Sequence, residues 1–181
     1  MDCKACKLAK TRNSIVLFGG NKNARVMLIG EAPGAEEDAA GLPFVGRAGK
    51  FLTKLLEEAG FERKEDGGDL YITNIAKCRP PNNRKPEAAE IAACAPILEK
   101  QIKEVKPEIV ILVGSVAMSY FLKDKKLTIS KARGQIFERD GIKLIPVFHP
   151  SYLLRNHRET LDSPRGLTRS DLKMVKELLK N

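Results

Sequence analysis

The sequence predicts an α/β fold: a three-layer α/β/α sandwich with a central, mostly parallel sheet, built as one domain over residues 1–181. Two observations predict it. Short apolar runs of strand length alternate with helical patterns, which is the signature of βαβ units. The chain of 181 residues is also long enough for one sizeable core, and nothing in its length demands two.

In chain order, "ARVMLIG" (24–30) is an apolar run closed by glycine, the form of a buried parallel strand. "GRAGKFLTKLLEEAG" (46–60) follows with Phe51, Leu52, Leu55 and Leu56 at helical spacing and Gly60 as a stop. "DLYITNIAK" (69–77) reads as a second strand. "PEAAEIAACAPILEKQIKEV" (86–105) reads as a helix opened by Pro86, with Pro96 marking a kink or break. "EIVILVG" (108–114) is a third strand and "SVAMSYFLK" (115–123) its helix. "GQIFERDGIKLIPVFH" (134–149) predicts a hairpin turning at Asp140-Gly141, whose second arm joins the sheet. The tail "SDLKMVKELLK" (170–180) predicts an amphipathic helix with Ser170 as N-cap. Internal repeats and low-complexity segments are absent from the sequence.

Net charge is +9, from 32 Lys and Arg against 23 Asp and Glu. That balance suits a polyanionic partner such as nucleic acid, although a basic soluble protein needs no such partner, so position has to decide. No apolar run approaches the roughly 18 residues of a membrane span, and "MDCKACKLAK" lacks the apolar core of a signal peptide. The expectation is a cytoplasmic monomer with no membrane partner. In that compartment cysteines stay reduced, so Cys3, Cys6, Cys78 and Cys94 read as metal ligands or free thiols rather than disulfides. Four thiolates suffice for a [4Fe–4S] cluster or a zinc ion, and spacing does not choose between them.

In a parallel sheet, ligands bind beyond the carboxyl ends of the strands. Three loops meet there: "GEAPGAEEDAAGLPFVG" (30–46), "NIAKCRPPNNR" (74–84) and "HPSYLLRN" (149–156). Together with the four cysteines, in this order, they resemble the family 4 uracil-DNA glycosylases, which carry an iron–sulfur cluster. The likeness covers nearly the whole chain and weakens at "NHRETLDSPRGLTRSD" (156–171).

The resemblance implies a monofunctional uracil-DNA glycosylase of base excision repair, which hydrolyses the N-glycosidic bond of uracil in DNA and leaves an abasic site. It also selects the [4Fe–4S] cluster, in a structural role. Expelling uracil builds negative charge at its O2, and His149 at a strand end is suited to donate a hydrogen bond there; the plainer role is to cap the helix that starts at Pro150. His157 lies in a charged run and is expected to be exposed. The Asn74 amide can meet uracil O4 and N3–H together, or simply close a strand. Phe44 is implied as the stacking platform. Gly30 and Gly34 allow close backbone approach to the ligand. Family 1 enzymes carry an aspartate and a tyrosine where this chain has Ala32 and Gly34. Water handling is therefore assigned to Glu31, with Asn83 as the alternative, and exclusion of thymine to Glu37.

Base flipping needs a wedge, for which Leu153 or Leu154 is the candidate, one of the two being expected in the core. Arg155 and the loop cations Arg79, Arg84 and Lys85 are candidates for phosphate contact. Two alternatives stand beside the enzyme. One is a uracil-DNA binder that traps its substrate covalently through a histidine, disfavoured because no histidine lies between Asn74 and Cys94. The other is a non-catalytic, metal-stapled DNA-binding module. Partners in replication or repair are not legible.

Overall fold

The computed structural model describes residues 2–64 and 67–180. Among them run strands β1 (Gly19–Gly20), β2 (Val26–Gly30), β3 (Leu70–Asn74), β4 (Ile109–Val113), β5 (Phe137–Arg139) and β6 (Ile142–Val147). The helices are α1 (Ala35–Ala40), α2 (Arg47–Glu58), α3 (Ala88–Val105), α4 (Ser115–Leu122), α5 (Ile129–Ala132), α6 (Pro150–Arg155) and α7 (Pro164–Leu178). The sheet order is β1-β3-β2-β4-β6-β5. Neighbours pair in parallel from β3 through β6, while β1 and β5 pair antiparallel at the edges.

The apolar runs become strands covered on both faces, so every residue of β2, β3 and β4 is buried. Successive side chains point to opposite faces, and this divides the core in two. Val26 and Leu28 pack with Leu52, Leu55 and Leu56 of α2 and with Leu172 and Val175 of α7. Met27 and Ile29 pack with Leu98 of α3 and with Ala117 and Phe121 of α4. A helical layer on each face is the predicted three-layer sandwich.

The chain leaves β2 for β3 on one side, then crosses back to β4 on the other. Such a reversal opens a crevice at the carboxyl ends of the strands. Register places the strand ends level there: Gly30 opposes Asn74, and Val113 opposes Val147.

Three expectations need correction. Pro96 does not end its helix; α3 runs on through it to Val105. The last helix starts at Pro164, six residues before Ser170. Its N-cap is Ser163, whose Oγ accepts from Gly166 N, followed by Pro164 at the first helical position, and the Ser170 hydroxyl instead donates to the Gly166 carbonyl within the helix. The second strand ends at Asn74, and residues 75–77 turn away beneath the neighbouring loop, with Ile75 N and Ala76 N donating to the carbonyls of Gly30 and Glu31.

Candidate active site and thiol cluster

A cavity of about 380 Å³ opens at the carboxyl ends of the parallel strands. Its wall includes Glu31, Ala32, Glu37, Phe44, Asn74 and His149, which the sequence places on three separate loops. Gly34, Asn83, Arg84 and Lys85 complete the predicted residues on it. Gly30 lies behind the wall. A Cβ there would come within 2.4 Å of Asn74 Oδ1 and 2.5 Å of the Phe44 ring, so only glycine lets those two side chains meet.

Asn74 ends β3 and is 2 % exposed. Its carbonyl accepts from Lys77 Nζ at 2.5 Å, yet its side-chain amide has no hydrogen-bond partner among the described residues. A buried amide is normally satisfied. Here the residue lines the cavity, where a ligand could satisfy it.

His149 follows β6 and is the N-cap of α6: its Nδ1 accepts from Ser151 N at 3.2 Å. The capping role is therefore real, and it fixes the ring. With Nδ1 as acceptor the neutral ring carries its proton on Nε2, leaving one donor to offer. Burial, helped by the positive charge of Arg155, lowers the imidazole pKa to about 4, so the ring is neutral near pH 7. Gly114, just past β4, makes room for it. That residue has φ +89°, and a Cβ there would sit 2.9 Å from His149 Cβ.

The Glu31 carboxyl titrates above the ordinary carboxylate range because it is partly desolvated, with Lys85 opposing the shift. Glu37 is a wall tie: Oε2 accepts from Gly34 N at 3.0 Å and Oε1 from Gly46 N at 2.8 Å. The two asparagines of "RPPNNR" answer to backbone shape, since Asn82 and Asn83 both have φ +54°, a region that asparagine tolerates better than most residues. The Asn83 side chain accepts from Arg79 Nε at 2.7 Å.

Several predicted DNA contacts are placed otherwise. Leu153 is wholly buried in the core against α2, so it is not available as a wedge; Leu154 is half-buried and Arg155 exposed. Arg84 grips the buried Glu90 through both terminal nitrogens, at 2.6 and 2.8 Å, and holds that carboxyl down at about 2. Its guanidinium organises the start of α3 rather than standing free for a phosphate.

The four cysteines surround a second, small cavity that Arg12 and Lys77 also line. Arg12 donates to Cys78 Sγ at 3.6 Å and to the Cys3 carbonyl at 2.8 Å, and Lys77 N donates to Cys94 Sγ at 3.3 Å. Among the described residues no three of the thiols close on a single point as ligands of one ion would.

Sequence reasoning passed over Lys77, which is 1 % exposed and whose ammonium holds Thr73 Oγ1 at 2.7 Å as well as the Asn74 carbonyl. Burial pulls its pKa down to about 7, against the pull of Cys94. Lys77 thus joins the base of the cavity to the thiols. It also passed over Asp38, which pins the N-terminal segment by accepting from Asn13 N, Asn13 Nδ2 and Ser14 N. The sequence signal for Gly114 was available: a glycine between an apolar run and a helix, as at Gly30.

Comparison with known proteins agrees with this geometry. Residues 18–173 match the model of the uracil DNA glycosylase superfamily. A type-4 uracil-DNA glycosylase of Thermotoga maritima is 45 % identical over 179 residues, covering 98 % of this chain and 90 % of that protein. One from Saccharolobus solfataricus is 43 % identical over 185 residues, covering 98 % and 82 %. One from Archaeoglobus fulgidus is 38 % identical over 185 residues, covering 98 % and 88 %.

Proposed function

This chain belongs to the uracil DNA glycosylase superfamily, and we propose that it is a single-domain, monofunctional uracil-DNA glycosylase of the type-4 class that begins base excision repair. The observation that carries the reading is the unpartnered amide of buried Asn74. A uracil swung out of DNA into the cavity offers O4 to its N–H and N3–H to its carbonyl. Phe44 stacks on the base. The Glu37 tie keeps the wall from yielding to the methyl group of thymine.

The reaction breaks the bond between C1′ and uracil N1, and the bonding pair leaves with the base. Negative charge collects at O2, where the neutral His149 ring donates from Nε2; a donor fixed in advance by its own cap needs no rearrangement as that charge grows. Water adds its oxygen to C1′ and gives its proton to Glu31, whose raised basicity suits the task; Asn83 is the alternative group for orienting it. Lys85 also lines the cavity, but its charge faces Glu31, and we assign it no covalent step.

Outside the cavity, exposed Arg155 and partly buried Arg79 are proposed to meet phosphates, with Leu154 as the wedge.

Four thiols around one cavity, with N–H donors aimed at two of the sulfurs, suit a [4Fe–4S] cluster held by Cys3, Cys6, Cys78 and Cys94, one thiolate to each iron. When bound it supplies a cross-link between the N-terminal segment, the loop after β3 and α3.

The test is incubation with a uracil-containing oligonucleotide, analysed with and without alkali. We expect strand cleavage only after alkali and only at uracil. Cleavage without alkali would indicate a lyase, a shifted protein–DNA band a covalent trap, and binding without product a non-catalytic module.

A further inference from the structure

We propose that Arg63, on the connection between α2 and β3, is a positioning residue for uracil excision, acting by fixing the plane of Phe44. The inference rests on the reading of Phe44 as the surface against which the base stacks.

Phe44 has φ +53°, in the left-handed region, which a bulky L-residue holds only when its surroundings impose it. Two glycines permit that turn. A Cβ on Gly49 would lie 2.1 Å from the Phe44 carbonyl group, and one on Gly30 would strike the ring. Permission is not enforcement, however. Behind the turn lies a separate cavity of about 320 Å³, lined among others by Pro43, Phe44, Thr53 and Arg63. Packing therefore leaves the turn room to fall back.

Arg63 closes that gap with one planar group. Its Nη2 donates to the Pro43 carbonyl at 2.9 Å and to the Phe44 carbonyl at 2.8 Å. Its Nη1 donates to Thr53 Oγ1 and, at 3.4 Å, to the Gly49 carbonyl, both on α2. The guanidinium thus ties a strained turn to a helix that packs into the main core. A rigid fork of donors can do this, whereas a lysine ammonium at the end of a flexible stem cannot span both sides in a fixed plane. The side chain acts from behind the platform, on the side away from the base.

A double-mutant cycle on single-turnover uracil release tests this, with Phe44→Ala and Arg63→Lys made singly and together. Loss of base stacking predicts that Phe44→Ala slows release about 10-fold or more. Arg63→Lys should slow release about 5- to 10-fold when Phe44 is present and less than about 2-fold in the Phe44→Ala background, with binding to abasic product DNA unchanged. A role in folding alone, or contact with DNA, predicts the same loss in both backgrounds and would overturn the proposal, as would no loss at all. If Phe44→Ala itself releases uracil at the wild-type rate, the stacking reading falls first and the inference with it. Thr53→Val, which removes only the hydroxyl anchor, is run in the same cycle. It should give a smaller loss that likewise disappears in the Phe44→Ala background, and it decides the question if Arg63→Lys does not fold.

Discussion

At the scale of single residues, the site depends on side chains whose ordinary chemistry has been altered by where they sit. His149 is neutral because its ring is buried and Arg155 adds positive charge, so it offers a proton without first having to lose one. The Glu31 pKa moves up rather than down, but likewise toward the neutral form, with a carboxyl that binds its proton more tightly than usual. The sign of the pH dependence follows. With Glu31 as the proposed base, excision would need it ionised, so the rate should fall as pH drops through a pKa above the ordinary carboxylate range, whereas His149 should add no break near 6.5. Lys85 opposes the Glu31 shift, so Lys85→Gln should move the acid limb of the rate profile to higher pH, and Glu31→Gln should leave a slow profile with no limb above the His149 region near 4. Single-turnover rates across acidic to neutral pH check both. A limb that stays in place in Lys85→Gln would separate the two charges.

At the scale of elements, the loop after β3 links two sites. Asn74 faces the cavity, Lys77 holds the Asn74 carbonyl, and Cys78 faces the thiol cluster, all within five residues. The N-terminal segment is fastened to that loop by Arg12 and by Val16 N, which donates to the Lys77 carbonyl at 2.8 Å. Cys78→Ala should therefore lose iron, melt earlier and expose Lys7, Lys10 and Arg12 to trypsin before any other site. Intact protein should be brown and resist cleavage there; a mutant cut no faster at these positions would leave the segment held by other means. Much of this architecture was legible in the sequence. Buried parallel strands read as apolar runs, and the loops at their ends carry residue types with few other uses. What escaped detection was set by long-range contact. The pair of glycines in β1 has no side-chain pattern to read, and α1 and α5 are too short to display helical periodicity. Ser170 resembled a cap because the true start of α7, "SPRG", lies in a stretch of mixed polarity. Leu153 and Leu154 could not be ranked until α6 was seen lying on α2.

At the scale of the whole molecule, a net charge of +9 suits a polyanionic partner, and the proposal places that partner at the end of the sheet where the cavity opens. Binding to abasic product DNA should weaken with salt, at a log–log slope of about −0.9 per phosphate contacted, and Arg155→Ala should flatten it by about one. An unchanged slope would put Arg155 off the DNA. In the proposed site the sheet brings its strand ends together so that one amide can read uracil. Asn74→Asp tests it most directly, because an ionised carboxylate offers only acceptors and would face uracil O4 with no proton, a buried mismatch that costs about 1–3 kcal/mol or more. The measurement is release of uracil and of cytosine from matched oligonucleotides by both proteins. Wild type should release uracil alone, while Asn74→Asp should lose most uracil release and gain a trace of cytosine release that rises at lower pH, where a protonated carboxyl can donate to cytosine N3. Uracil release by Asn74→Asp at nearly the wild-type rate would show that this amide does not read the base.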